Sequence, residues 1–187
     1  MRILPASLDG IKIIEPDVFA DERGFFMETY SRKRYREAGL RKEFVQDNLS
    51  HSVAGTLRGL HYQVTKPQAK LVQVLAGEIY DVVVDIRPWS PTFGCWEGFR
   101  LSSQNQKQLY VAEGLAHGFC VLSETVLLMY KCSDFYDPAD EGGVLWCDGE
   151  LGIDWPVANP IVSRKDSRLS PLSAIAPHML PSREGGS

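Results

Sequence analysis

The sequence is short of histidine and cysteine, has no block of basic residues and no long apolar run, and each shortage removes a class of function. Lys and Arg are scattered through a chain of net charge −4, so no basic stripe exists to follow a phosphate backbone, and a nucleic-acid partner is not expected. No apolar stretch approaches the roughly 20 residues that span a bilayer, and Met1–Ala6 is not followed by a leader-like apolar segment. A cytoplasmic protein with no membrane partner is the expectation. The four cysteines, Cys95, Cys120, Cys132 and Cys147, form no Cys-x-x-Cys pair, which argues against a zinc ribbon or a dithiol redox site and for reduced, packed thiols. With only His51, His61, His117 and His178 available, any histidine chemistry rests on one or two residues.

What is present is enough apolar residue in 187 positions to bury a core without disulfides or metal. We expect one domain over residues 1–176 and a flexible tail over 177–187, where Pro177, Pro181, Ser182 and Gly185-Gly186-Ser187 accumulate. One segment reads as helix: Ser31 caps it, Arg32 to Ala38 carry no breaker, and Gly39 suits a left-handed end. Its Arg32, Lys33, Arg34 and Arg36 read as a solvated face. Elsewhere apolar residues alternate with period two between Gly, Pro, Asn and Asp punctuation, the pattern of many short strands. Lys70 to Ala76 and Ile79 to Ile86 read as strands about a Gly77-Glu78 turn; Tyr80, Val82, Val84 and Ile86 share one face of the second, and Asp81, Val83, Asp85 and Arg87 the other. His117, Phe119 and Val121 share a face, as do Val126, Leu128, Tyr130 and Cys132 beyond a turn near Ser123-Glu124. A histidine and a tyrosine from neighbouring strands thus have access to one cavity. Many strands with one small helix predict an all-β sandwich or barrel, of which the double-sheet jelly roll encloses a cavity.

Candidate chemistry centres on Arg58-Gly59-Leu60-His61-Tyr62-Gln63, which sets a guanidinium, an imidazole and an amide beside a glycine that permits close backbone approach. By itself His61 is equally well read as a histidine satisfied by a buried carboxylate. Lys70, opening an otherwise apolar strand, can carry a positive charge into the interior. A metal-binding barrel would be expected to show His-x-His with a nearby glutamate; here Gln63 stands two residues after His61 and Glu78 is the next acidic residue, so no metal or other cofactor is expected. Histidine, lysine and tyrosine in one metal-free pocket suit proton abstraction beside a carbonyl, which needs a base, a cation at the developing enolate oxygen and an acid on the opposite face.

From Phe19-Ala20-Asp21-Glu22-Arg23-Gly24-Phe25-Phe26-Met27-Glu28-Thr29, through Gln46-Asp47-Asn48-Leu49-Ser50 and Arg58 to Gln63, the chain resembles the dTDP-4-dehydrorhamnose 3,5-epimerase family. The resemblance continues through Asp81 to Pro91, Gly114-Leu115-Ala116-His117-Gly118-Phe119, Tyr136-Asp137-Pro138, Ile153-Asp154-Trp155-Pro156 and Ser163-Arg164-Lys165-Asp166. It implies a cupin-like double-stranded β-helix that forms homodimers, holds no metal and acts on a dTDP-4-keto-6-deoxyhexose in the biosynthesis of L-rhamnose for surface polysaccharide such as O-antigen. By the same resemblance His61 is the base, Asp166 its carboxylate partner, Lys70 the enolate stabiliser and Tyr130 the acid. Arg23, Glu28, Gln46, Asp47, Asn48, Arg58, His117, Glu141 and Lys165 fall on substrate-contacting positions and Tyr136 on the one that stacks on thymine, with the Arg23 and Glu28 region reaching the partner's site. Glu113, Leu115 and Gly149 depart from the family pattern at turn and packing positions, which bears on regiochemistry more than on reaction class. The alternatives are an epimerase that inverts a single carbon of another dTDP-4-keto-deoxysugar, a metal-dependent cupin isomerase or dioxygenase, and a silent sugar-nucleotide-binding module.

Overall fold

A computed structural model describes residues 1–182. Two sheets face each other, with strands numbered in chain order. One runs β1 (Arg2–Pro5), β2 (Ile11–Glu15), β10 (Gln108–Val111), β7 (Lys70–Ala76), β12 (Thr125–Cys132), β5 (Gln46–Val53). The other runs β13 (Glu141–Gly143), β6 (Thr56–Gln63), β11 (Leu115–Val121), β8 (Glu78–Asp85), β9 (Trp96–Ser102), with β14 (Ile161–Val162) parallel against β6. A separate ribbon pairs β3 (Val18–Asp21) with β4 (Gly24–Met27). From β5 to β8 the chain changes sheet at every connection, and it does so again from β9 to β12. That crossing pattern is the double-stranded β-helix expected from the sequence.

The crossings revise one detail of the sequence reading. β7 and β8 are consecutive, as are β11 and β12, yet the members of each pair lie in opposite sheets. His117 and Tyr130 therefore face each other across the interior instead of sitting on adjoining strands. Gly77 makes the first crossing at φ +86, where a Cβ would meet Thr125 O at 2.2 Å and Ser123 Oγ at 2.4 Å; only glycine permits this passage.

Period-two alternation sends Val72, Val74, Val83, Phe119, Val121, Val126 and Leu128 inward, where they form the core between the sheets. Each such apolar side chain contributes roughly 1.5–3 kcal/mol when fully buried. On the outer side of the second sheet, Leu60, Tyr62, Val82, Val84 and Ile86 pack beneath Val144, Leu151 and Leu172. The helix α1 (Arg32–Glu37) is short and peripheral, capped by the Ser31 hydroxyl at the Arg34 N–H, and its Tyr35 covers Ile14, Leu71 and Tyr110 on the first sheet. Its Arg34 pairs with Asp17 and Glu28. Residues 177–182, the first part of the expected flexible tail, are docked: the Tyr62 hydroxyl donates to Met179 O at 3.0 Å, Leu180 packs on the outer cluster and Pro181 is buried. Residues 183–187 lie outside the described residues. All four cysteines are free, but only Cys120 and Cys132 are packed; Cys95 and Cys147 are exposed because they sit in loops.

Candidate active site

At one end the interior stays open, as a cavity of about 730 Å³. The inward face of β5 is polar there, presenting Gln46, Asn48 and Ser50, while β12 contributes Leu128, Tyr130 and Cys132 and β7 contributes Lys70. The opposite wall carries Arg58, His61 and Gln63 from β6 and His117 from β11. These two strands approach unusually closely: a Cβ on Gly59 would lie 2.5 Å from Gly118 Cα and 2.8 Å from His117 O. The register slips by one residue between His117 and Phe119 at that contact, which lets both Arg58 and His61 line the cavity.

His61 Nε2 lies 2.8 Å from Asp166 Oδ1. A carboxylate at Nε2 holds the ring proton on that nitrogen and leaves the lone pair on Nδ1. Asp166 also accepts the Gly59 N–H, and its own N–H donates to the Ser163 hydroxyl. Burial pushes its carboxyl up, but the His61 hydrogen bond and charge, with the bonds at Gly59 and Ser163, outweigh burial and hold it below the usual carboxylate value. On the other side of the ring, Nδ1 is 3.7 Å from Glu141 Oε1. Glu141 also accepts the Tyr136 hydroxyl at 2.6 Å and pairs with Lys165. Burial raises the Glu141 carboxyl as well, and the Lys165 and Tyr136 bonds and the His61 charge bring it below its ordinary value. The Glu141 bond, with burial, pushes the Tyr136 phenol up to about 12.

Facing His61 from the other sheet, Lys70 lies deep in the barrel and opens only partly onto the cavity. It has no hydrogen-bond or ion-pair partner among the described residues. Burial pulls its amine below the ordinary lysine value, opposed by the charges of Cys132, Asp81 and Glu141. The Tyr130 phenol likewise has no hydrogen-bond partner among the described residues, and burial, with Cys132 and Glu141, raises it against the lowering influence of Arg58. An imidazole held by a carboxylate on one wall thus faces, on the other, a lysine amine and a phenol that have no hydrogen-bond partner among the described residues.

The expected substrate-contacting positions divide. Gln46, Asn48, Arg58, His117, Tyr136, Glu141 and Lys165 all line the cavity. His117 is fixed by the fully buried Asp81 at 2.8 Å, and Arg58 Nε donates to the Ser52 hydroxyl. Gln46 donates to Asn48 and accepts the Tyr136 N–H. Asp47 does not join them, because alternation along β5 sends it to the outer face, where it pairs with Lys131 at 2.8 Å. Arg23 and Glu28 are exposed on and after the β3–β4 ribbon, paired with Asp21 and Arg34, and do not line this chain's cavity. Glu113 is paired with Lys42 and Leu115 is in the core, so these two departures from the family pattern serve packing.

Sequence reasoning assigned no site role to Gln63, Gln68, Cys132 or Ser50, which also line the cavity. Gln63 clamps the backbone of Asp137 through both amide atoms, at 2.9 Å each, and Gln68 holds Asp134 O at 2.8 Å, so together they anchor the loop that presents Tyr136. Cys132 is the cross-strand partner of Lys70, and Ser50 has a buried hydroxyl without a partner among the described residues. Period two had already put Cys132 on the face of Tyr130.

Comparison with known proteins agrees with this geometry. The profile of the dTDP-4-dehydrorhamnose 3,5-epimerase family matches residues 5–174. A dTDP-4-dehydrorhamnose 3,5-epimerase of Methanothermobacter thermautotrophicus is 51% identical over 174 residues, covering 91% of this chain and 94% of the relative. The solved dTDP-6-deoxy-D-glucose-3,5-epimerase of Legionella pneumophila, in complex with dTDP-4-keto-L-rhamnose, superposes with a TM-score of 0.94 at 48% identity over 96% of this chain and 97% of its own. A 4-keto-6-deoxy sugar epimerase from the novobiocin gene cluster of Streptomyces spheroides gives a TM-score of 0.94 at 42% identity over 100% and 96%. With its jelly roll, its carboxylate-held histidine and these relatives, the chain belongs to the dTDP-4-dehydrorhamnose 3,5-epimerase family.

Proposed function

We propose that this protein inverts carbons 3 and 5 of dTDP-4-dehydro-6-deoxy-D-glucose to give dTDP-4-dehydro-L-rhamnose. Both carbons flank the ketone at carbon 4, so one enolate-forming site serves both. His61 Nδ1 removes the proton, Asp166 stabilises the imidazolium that forms, Lys70 neutralises the enolate oxygen, and Tyr130 returns a proton from the other face. The observation that carries the reading is that His61 and Tyr130 come from opposite sheets into one cavity, with the Lys70 side chain, unpaired among the described residues, also opening onto it. General acid–base help is worth about 10²–10⁴-fold, and a positioned oxyanion partner about 10²–10³-fold.

Arg58, His117, Gln46 and Asn48 are assigned to the diphosphate and nucleoside, since a guanidinium matches phosphate oxygens in two-point geometry, and Tyr136 to stacking on the base. Arg23 and Glu28 are assigned to the site of a second copy. In support, the ribbon that carries Arg23 exposes Phe19, Phe25 and Phe26 at 64%, 60% and 69%. Clustered exposed apolar area of this kind is the mark of an interface.

Incubation with the substrate in deuterated water tests the reading: label is expected at carbons 3 and 5, and none should appear with His61→Asn. A 3-epimerase of Streptomyces niveus is 45% identical over 168 residues, which makes single-carbon inversion the second reading. Label at one carbon alone would establish it, and no label would sink the reaction class.

A further inference from the structure

Double inversion asks one base to act twice on one bound sugar. After the first abstraction His61 holds a proton on Nδ1, and Tyr130 has given its own away. Neither can repeat its step until that proton has left the ring and another has reached the phenolate.

Two carboxylates flank the imidazole, and they differ in where they lead. Asp166, at Nε2, is 5% exposed in its side chain and is enclosed by Gly59 and Ser163. It ends in the interior. Glu141, beside Nδ1, is 10% exposed, but its other oxygen is bonded to the Tyr136 hydroxyl and to the ammonium of Lys165, which is 56% exposed at the cavity mouth. A continuous line of polar atoms therefore runs from the ring nitrogen that faces substrate to bulk water.

We propose that Glu141 is the proton outlet of His61, taking the Nδ1 proton after each abstraction and releasing it to water at the Lys165–Tyr136 end. The inference rests on the reading of His61 as the base for both carbons. In the step, the Nδ1–H bond breaks and an O–H bond forms at Glu141 Oε1, which restores neutral imidazole. The carboxylic acid then loses its proton to water, while the Tyr130 phenolate takes one from water in the cavity. One proton leaves, one enters, and no electrons are exchanged. The 3.7 Å gap needs only a small ring or carboxylate rotation, of the kind by which apo catalytic contacts tighten in complexes.

The test is Glu141→Gln, which keeps the shape and cannot accept a proton, assayed with dTDP-4-keto-6-deoxyglucose in deuterated water and read by NMR at early times. The unsubstituted protein should release doubly inverted sugar, and the variant should raise the ratio of singly to doubly inverted sugar at least tenfold. Glu141→Ala should do the same, with sodium formate bringing the ratio back, a rescue that a purely packing role would not give. Lys165→Met, which leaves Glu141 in place, should raise the ratio by a smaller factor. An unchanged ratio with both inversions slowed equally would overturn the outlet and leave Glu141 as a substrate contact. Label at fewer than two carbons in the unsubstituted protein would overturn the two-carbon reading itself, and that failure is visible without any variant.

Discussion

Replacing Lys70 with methionine should make the protein more stable and nearly inactive. The ammonium lies deep in the barrel, on a strand whose inward neighbours are Val72 and Val74, with no partner within hydrogen-bond or ion-pair distance among the described residues. Removing an ion from such a site in favour of an apolar group of similar volume typically stabilises by roughly 1–3 kcal/mol, which for a chain of this size raises Tm by about 2–12 °C. The sign of the pH dependence follows from burial pulling the Lys70 amine down. Below its folded value the charge is present in both states and the penalty is complete. As pH rises through the folded value toward the ordinary lysine value, the folded state sheds the proton first and the penalty fades. The Tm difference between variant and unsubstituted protein should therefore be largest below the folded value and shrink as pH rises toward the ordinary lysine value. Activity should fall by about 10²–10³-fold in kcat, the loss expected for one oxyanion-stabilising group. Paired calorimetric scans across pH, with an exchange assay, measure both. A Lys70→Met variant that is less stable at neutral pH, or that keeps its kcat, would refute the account of Lys70 as an unneutralised charge held for the enolate.

Tyr130→Phe should impair inversion more than proton exchange, because His61 can still abstract and return a proton on one face; equal losses in NMR wash-in and product formation would count against Tyr130 as the opposite-face acid. Asp85 is fully buried and accepts Arg87 Nε and Nη2 at 2.8 Å and the Ser90 and Thr92 hydroxyls at 2.6 Å. Burial pushes its carboxyl up, and these bonds outweigh it and bring it from 3.8 to about 2. The folded value is depressed, so about 2 kcal/mol of stability is present above the unfolded value and lost as pH falls through the folded one; Asp85→Asn should flatten denaturant midpoints between about pH 5 and 2, and an unchanged acid limb would count against it. Aspartate at both Phe25 and Phe26 should yield a folded monomer by light scattering, with KM raised at least tenfold because Arg23 no longer reaches a second site; a persisting dimer, or a monomer of normal KM, would contradict the assigned interface.

Much of this was legible along the chain. Period two is a property of the strand backbone itself, so alternation grouped the residues that share a face of β8, β11 and β12, and Lys70 could be read as opening an apolar strand. The helix was legible because its caps are local: Ser31 before it and Gly39 after it satisfy backbone groups within a few residues. The order of the family's motifs carried the histidine, its aspartate and the opposing tyrosine. Alternation also holds the answer for Asp47, which falls between Gln46 and Asn48 and so faces outward, although the motif it belongs to suggested otherwise.

Pairing is another matter, because a strand's face is encoded locally while its partner is chosen by what the whole chain can bury. Nothing near Gly77 or Ser123 says that the chain there leaves one sheet for the other. That choice sets His117 opposite Tyr130 and sends Lys70 and His61 to facing walls. The same holds for the ring of His61, gripped by Asp166 from 105 residues away and flanked by Glu141. Sequence alone determined which residues could do chemistry and which way each strand turns its face. Only the tertiary structure decided which of them meet, because contacts across the barrel depend on long-range burial that no local pattern records.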